Sequence, residues 1–299
     1  MIKRIVDISE PAYLHQQHQQ LLIDKQGVTV AKLPIEDLGV LILQHPAIVL
    51  TQALIISCQQ NNVAVVFCDA RHLPYSVILP LSDGHSLHSK IVQQQVSLSL
   101  PVKKRLWQQI VKQKIAGQAR VLKQLDKNSL ALERLAANVK SGDEGNLEAQ
   151  AAQKYWPLLF GAQFRRDTDA EGLNSLLNYG YAVIRGVIAR AIVGAGLHPA
   201  LGVQHSNQYN GLCLADDLME PFRPWVDLLV YQIAQQHPLL EINQHTKKPF
   251  LSLLSQPVAF NQQTMPLMVA CHYLLADFKR AFNDSKQPFS YPQWLELTL

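Results

Sequence analysis

The chain has 299 residues, 48% of them hydrophobic, so it is long enough to bury a sizeable core, and wholesale disorder is excluded. Its 27 basic and 23 acidic residues give a net charge of +4, which permits an anionic partner without requiring one. The four scattered cysteines lack metal-site spacing and follow no secretory signal, so they predict buried thiols in a reducing cytoplasm, and no apolar stretch predicts a membrane span.

The first part of the chain predicts strands. Short β-branched and apolar runs occur at 27–30, 40–43 and 63–67, separated by polar or proline-containing turns, with one helix expected near 51–60. After 82–84 the character changes to long segments of helical periodicity. We therefore predict an α+β chain, with a small β-rich domain over residues 1–80 and a larger all-α domain over 81–299. The boundary is expected near residues 79–90.

Glu148 is the first candidate for chemistry. Its helix is predicted to begin near Ser141 with a capping box to Glu144 and to end at Pro157. On a helical wheel Glu148 lies in the apolar face, which contains no cation. A buried carboxylate needs a proton, a cation or a metal. The alternative is a glutamate at the helix margin that bends out to solvent.

A second candidate is His205, in a loop that follows the predicted helix over 174–196. A lone loop histidine is most often a surface residue.

Three carboxylates, Asp216, Asp217 and Glu220, come shortly after this loop. Because prolines are tolerated in a first helical turn, Pro221 and Pro224 predict that a helix begins at 219 or 220. Glu220 would then lie at a helix N-terminus, where capping or interaction with the helix dipole is the simpler interpretation. Combined with Glu148 and His205, however, it completes a ligand set for Mg²⁺ or Mn²⁺, with Asp217 as an auxiliary or supporting group.

Three motifs resemble the CRISPR-associated adaptation integrase family: LNYGYAVIR at 177–185, AGLHPALG at 195–202 and DLMEPFRP at 217–224. The segment NLEAQAA at 146–152 and the glycine-rich stretch before it look most like the enzymes of type II systems. The resemblance covers about residues 142–228.

This resemblance implies that Glu148, His205 and Glu220 bind the metal, that Asp217 lies close by, and that Asn178 and Tyr179 line the same site. It implies a β-sandwich-like N-terminal domain and a helical catalytic domain. The implied enzyme is a metal-dependent endonuclease and integrase, in which a 3′-hydroxyl of captured double-stranded DNA attacks a phosphodiester at the edge of a CRISPR repeat.

The implied partners are a second copy of the chain and the small second adaptation protein, which together form a heterohexamer. The effector nuclease and an accessory protein of type II systems are compatible with the resemblance.

Several basic residues suit contacts with a DNA backbone. They are Lys103, Lys104, Arg105, Lys112, Lys114, Arg120, Lys123, Arg165, Arg166, Lys247 and Lys248. A solvated helix face is the alternative for each of them. For Arg223, which lies beside Glu220 in the sequence, we predict either a contact with a phosphate or an ion pair within the site.

Two other functions compete with integration. One is a nuclease whose physiological reaction is cleavage, and the other is a non-catalytic DNA-binding scaffold whose carboxylates only cap helices.

Overall fold

The computed structural model describes residues 4–69, 74–79, 88–236, 240–282 and 288–295. Strands dominate its first part, as predicted, and form two sheets. The elements are β1 (Arg4–Ile8), β2 (Tyr13–Gln17), β3 (Gln20–Lys25), β4 (Val28–Pro34), β5 (Leu38–Leu43), β6 (Val49–Leu50), α1 (Gln52–Gln60), β7 (Ala64–Cys68) and β8 (Pro74–Ile78). The predicted strands at 27–30, 40–43 and 63–67 and the helix at 51–60 are confirmed within a few residues.

One sheet has the order β1-β5-β7-β8, with β1, β5 and β7 parallel and β8 antiparallel, and the other has the order β4-β3-β2-β6. Alternate residues of a strand point to opposite faces. In β5, Leu41 and Leu43 therefore belong to the same buried cluster as Leu14 of the second sheet, whereas Val40 and Ile42 join the core of the helical part. The first sheet is thus covered on both faces.

The rest of the chain is mainly helical. The helices are α2 (His88–Val96), α3 (Leu100–Gln124), α4 (Leu130–Asn138), α5 (Leu147–Phe160), α6 (Leu173–Gly194), α7 (Cys213–Met219), α8 (Arg223–Gln236), α9 (Gln244–Leu253) and α10 (Leu267–Arg280), with 3₁₀ turns at Ile35–Asp37, Ser141–Asp143 and Glu220–Phe222. An α+β chain with strands first and helices afterwards is the predicted arrangement.

Helix α6 runs through the middle of the helical part. Within the described residues it alone is long and apolar enough to cross a membrane, but 83% of its most apolar 18-residue window is buried inside the protein. Its neighbours pack closely: a Cβ on Gly180 would lie 2.4 Å from the side chain of Val226 in α8. These contacts are those of a central core helix.

The prediction that residues 81–299 are all helical is wrong. A three-stranded sheet of order β10-β9-β11 forms from β9 (Pro257–Phe260), β10 (Gln263–Pro266) and β11 (Gln293–Trp294). Asn261 and Gln262 both have positive φ, 47° and 65°, as a two-residue hairpin turn requires. Because no glycine marks this turn and the strands are very short, local sequence patterns do not predict the sheet.

The proposed division at residues 80 and 81 falls within 80–87, which lie outside the described residues. The two-domain boundary therefore stays a prediction.

Candidate functional site

Glu148 lies in the first turn of α5. The helix is capped by Asp143, whose carboxylate accepts the backbone N–H of Leu147 at 2.9 Å and that of Glu148 at 3.0 Å. The predicted capping box between Ser141 and Glu144 is therefore wrong, and Glu144 instead contacts Lys104 at 3.1 Å.

The predicted end of this helix is also wrong. Helix α5 continues through Pro157 to Phe160, and Gly161, with φ 99°, ends it. A proline within a helix removes one backbone hydrogen bond but does not have to stop the helix.

Lys114 of α3 joins Glu148 to Glu220. Its ammonium nitrogen lies 2.5 Å from Oε1 of Glu148 and 2.5 Å from Oε2 of Glu220. The three side chains are 13%, 26% and 6% exposed. This cationic partner of Glu148 comes from α3, which the helical wheel of its own helix could not show. Lys114 is also buried at this junction, so it is not the surface DNA contact that was predicted.

Glu220 is held by a second cation. Nε of Arg223 donates to Oε1 of Glu220 at 2.8 Å, so the ion-pair alternative for Arg223 is the one observed. Burial alone would raise the pKa of Glu220, but Lys114 and Arg223 outweigh it and lower the pKa to about 2. Burial would likewise lower the pKa of Lys114, yet Glu220 and Glu148 raise it. Glu220 and Lys114 are therefore both charged at neutral pH.

Glu220 does not begin a helix. Helix α7 ends at Met219, the 3₁₀ turn Glu220–Phe222 follows at once, and α8 starts at Arg223. Pro221 has no N–H, and the N–H of Glu220 bonds to the carbonyl of Asp217 at the end of α7. The predicted helix start at 219 or 220 is corrected to a junction between helical segments, where the change to 3₁₀ geometry accommodates the prolines.

Asp217 organises the loop that carries His205. Its fully buried carboxylate accepts backbone N–H groups from Val203 at 2.5 Å, Gln204 at 3.0 Å and His205 at 3.2 Å, and the ring Nδ1 of His205 at 2.6 Å. Only glycine fits at 202, since a Cβ there would lie 2.3 Å from the carbonyl oxygen of His205.

The imidazole of His205 is held in one orientation. A carboxylate only accepts, so Nδ1 carries the proton and Nε2 of the neutral ring has its lone pair available. The hydrogen bond to Asp217 raises the pKa of His205 against the effect of burial, and Glu220 raises it further. The side chain is 47% exposed, and its ring meets the edge of Trp107 at a centroid distance of 6.0 Å. Asp217 thus orients the histidine, and its own oxygens are occupied.

The buried carboxylate of Asp227, near Arg223, was not predicted from the sequence. The hydroxyl of Tyr181 donates to the buried carboxylate of Asp227, and the guanidinium of Arg223 lies 4.5 Å from the centre of the Tyr181 ring. Burial raises the pKa of Asp227 to about 7, although the hydrogen bond from Tyr181 opposes this. The spacing of Arg223 and Asp227, four residues apart on α8, is the signal that could have indicated that these two charged groups lie near each other.

Tyr179 does not line the site, which corrects the prediction for that residue, whereas the place of Asn178 at the site stays a prediction. The ring of Tyr179 packs on Phe250 at 5.7 Å and lies under the ammonium of Lys247 at 5.7 Å. Successive helical residues are rotated by about 100°, so Tyr179 and Tyr181 face nearly opposite sides of α6. Asn178 accepts from Arg166 at 2.5 Å and donates to the carbonyl of Thr168.

The predicted DNA-contacting residues divide into buried and accessible ones. Lys247 is 4% exposed and contacts Gln44, so like Lys114 it is not available at the surface. Arg165 donates to the carbonyls of Ala162 and Phe164, and Arg120 covers the ring of Trp294 at 5.3 Å. Contacts of the accessible basic residues with DNA stay a prediction.

The carboxylates of Glu148 and Glu220 and the imidazole of His205 are ligand types that suit a hard divalent cation. Oε2 of Glu220 is buried, and its contact with Lys114 lacks the geometry of a hydrogen bond, so one carboxylate lone pair is unsatisfied. Within the described ranges, no group of three or more His, Cys, Asp or Glu side chains is close enough to hold a metal ion. The chemistry of the donors, two carboxylates and Nε2 of His205, fits Mg²⁺ or Mn²⁺, and their joint binding of one metal ion stays a prediction.

Comparison with known proteins identifies the family. The family model of CRISPR associated protein Cas1 matches residues 6–250. A CRISPR-associated endonuclease Cas1 from Neisseria meningitidis serogroup C (strain 8013) is 36% identical over 288 residues, which cover 95% of this chain and 93% of the relative.

Two solved structures share the fold. A casposase bound to integration product has a TM-score of 0.75 and 19% identity and covers 97% of this chain and 95% of its own. A chain of a Cas6-RT-Cas1–Cas2 complex has a TM-score of 0.77 and 18% identity, covering 97% of this chain and 36% of its own. On the family match and the 36% identical relative, this chain belongs to the Cas1 family of CRISPR-associated proteins.

Proposed function

We propose that this chain is a metal-dependent DNA endonuclease and integrase of CRISPR adaptation. It would insert captured DNA fragments into the CRISPR array by attack of a 3′-hydroxyl on a phosphodiester at the repeat edge. The observation that carries the proposal is the convergence of Glu148 and Glu220 on one cation, Lys114. The two carboxylates come from separate helical segments, and His205, oriented by Asp217, is close enough for Glu220 to raise its pKa.

The residues of the chain divide the work between them. Glu148, Glu220 and Nε2 of His205 would hold Mg²⁺ or Mn²⁺. A divalent cation in that position supplies Lewis-acid polarisation of the scissile phosphate and neutralises charge in the in-line transition state. Asp217 fixes the ring of His205, and Arg223 holds Oε1 of Glu220, the oxygen that Lys114 does not contact.

The relatives support DNA as the substrate. The Neisseria meningitidis relative is called an endonuclease, and the casposase is described as bound to an integration product. A shared fold alone does not carry an activity over, so the proposal rests on the side chains of the site.

The proposed assembly is a homodimer that binds the small second adaptation protein in a heterohexamer on double-stranded DNA. A Cas1–Cas2 complex occurs among the structural neighbours. We place the protein in the prokaryotic cytoplasm. The type II effector nuclease and an accessory protein would join at fragment selection.

Strand transfer tests the proposal. A short duplex with free 3′-hydroxyl ends is incubated with a plasmid that carries a CRISPR array, the partner protein and Mg²⁺ or Mn²⁺. We expect joined product from the wild type and from His245→Ala, which removes an exposed histidine of α9, but not from His205→Ala. Equal product from all three proteins would remove His205 from the mechanism.

One observation favours the second candidate, a non-catalytic DNA-binding scaffold. Lys114 and Arg223 already balance the charges of Glu148 and Glu220 without any metal. A scaffold would bind the duplex tightly, yet the wild type would neither join nor cleave DNA at any concentration of Mg²⁺ or Mn²⁺. Cleavage without joining would instead indicate a nuclease.

A further inference from the structure

Residues 288–295, here called the C-terminal segment, pack against the elements that carry the candidate site. The N–H of Phe289 donates to the side chain of Gln109 in α3 at 3.0 Å, and Gln293–Trp294 pairs with β9. The ring of Trp294 lies 5.0 Å from that of Trp225 in α8. The family model ends at residue 250, so this segment lies beyond the part of the chain that it matches.

Tyr291 reaches the junction between α7 and α8. It is 6% exposed, its ring meets that of Phe222 at 5.6 Å, and its hydroxyl donates to the carbonyl oxygen of Leu218 at 3.2 Å. Leu218 directly follows Asp217 and precedes Glu220 by two residues. Burial raises the pKa of Tyr291, and Asp217 and Glu220 raise it further, so the phenol keeps its proton and stays a donor.

The junction needs an external donor because of its sequence. The chain passes here from α7 into the 3₁₀ turn. In 3₁₀ geometry the carbonyl of Leu218 would accept a hydrogen bond from the N–H of residue 221, three positions on, but Pro221 has no N–H. A buried carbonyl without a partner costs free energy, and the phenol of Tyr291 supplies the missing hydrogen bond.

We propose that Tyr291 is a positioning residue for the site, which fixes the α7–α8 junction so that Glu220 and the Asp217–His205 pair keep their relative placement. Tyr291 acts through the backbone of Leu218 and touches no reacting atom. The inference rests on the proposed function, because it assigns Tyr291 a role in placing two of the proposed ligands, Glu220 and His205.

The test compares two substitutions that each remove one buried phenolic hydroxyl from the full-length chain. Tyr291→Phe removes the donor to Leu218, and Tyr179→Phe removes a hydroxyl from the opposite side of α6, away from the site. Three quantities are measured: hydrogen exchange of backbone amides over residues 215–223 in metal-free protein, Mn²⁺ affinity by electron paramagnetic resonance, and kcat and KM for DNA cleavage with Mn²⁺.

For Tyr291→Phe we expect faster exchange at 215–223 and a loss of Mn²⁺ affinity of about three- to tenfold, the effect of one hydrogen bond. We expect kcat at subsaturating Mn²⁺ to fall while KM for DNA stays unchanged. Tyr179→Phe should match the wild type in all three. If Tyr291→Phe only lowers the melting temperature and leaves exchange and Mn²⁺ affinity as in the wild type, the segment merely adds stability and the inference is overturned.

Failure of the proposed function has a different signature, since the wild type itself would then bind no Mn²⁺ and cleave no DNA. In that case the positioning role falls with the site that it serves.

Discussion

The carboxylate of Asp217 accepts two hydrogen bonds from the same residue, one from the backbone N–H of His205 and one from its ring Nδ1, at 3.2 and 2.6 Å. Ring and backbone of the histidine are therefore tied to one buried group. A partner that fixes the free nitrogen of a metal-binding histidine affects metal affinity without touching the metal.

Asp217→Asn should therefore damage the site although Asp217 is not expected to bind metal. The amide can present only one oxygen and turns an NH₂ group toward N–H donors, so the ring of His205 loses its fixed tautomer. We expect Mn²⁺ affinity or strand transfer to fall about 10- to 100-fold, the range found for such supporting groups. Asp216→Asn, next in the chain but paired with Arg185, is the control. Equal losses in both variants would count against the role of Asp217.

Lys114→Met should separate the effects of charge balance and metal binding. Without metal, Glu148 and Glu220 lose their shared cation, and breaking a buried ion pair typically costs about 3–5 kcal/mol. Because Arg223 still pairs with Glu220, we expect a loss of stability near the lower end of this range.

The same substitution should strengthen Mn²⁺ binding, since no ammonium has to be displaced. Thermal unfolding with and without Mn²⁺ checks both effects. Without metal, the variant should have a lower melting temperature than the wild type, and its melting temperature should rise more when Mn²⁺ is added. Lys112→Met, on the same helix, should behave as the wild type. A smaller rise in melting temperature for the Lys114 variant than for the wild type would contradict the idea that the metal displaces the ammonium of Lys114.

Asp227 should make stability depend on pH in the direction opposite to most carboxylates. Its pKa is raised from 3.8 to about 7, so its contribution is complete below about pH 4 and is lost as the pH rises through 7. A shift of about three units corresponds to roughly 4 kcal/mol as an upper limit.

We expect Asp227→Asn, which keeps an acceptor for Tyr181, to lose less stability than the wild type between pH 5 and 8. Urea unfolding across that range measures the difference. Parallel curves for the two proteins would show that Asp227 is ionised throughout.

Lys103→Ala should lower the salt dependence of DNA binding. If Lys103 of α3 contacts a phosphate, the slope of log K against log salt should decrease in magnitude by about 0.9. Lys32→Ala, on the exposed edge strand β4, is the matched control and should leave the slope unchanged. Fluorescence anisotropy between low and moderate salt provides the slopes, and an unaltered slope for Lys103→Ala would assign that lysine to a solvated face.

Local patterns predicted the elements that depend on local sequence. The apolar runs at 40–43 and 63–67 became β5 and β7, and the apolar segment over 174–196 became α6. The three candidate ligands were likewise chosen from spacing and resemblance, without knowledge of their contacts.

Contacts between distant segments could not be predicted in the same way. The wheel of α5 showed no cation near Glu148 because Lys114 belongs to α3, and nothing in the sequence indicated that the two helices cross at that point. Tyr181, two residues after the predicted Tyr179, faces Arg223 because of how α6 is rotated in the core. Such rotation is decided by packing on several neighbours at once.

The two faces of β5 bear on how the protein can be divided for experiments. Leu41 and Leu43 belong to the core shared by the two sheets, and Val40 and Ile42 to the core of the helices. A fragment that ended after β8 would present the second pair, together with Val66, to water as a strip of branched apolar side chains. We expect such a fragment to aggregate, so the strands and the helices form one cooperative unfolding unit and are best produced as a single chain.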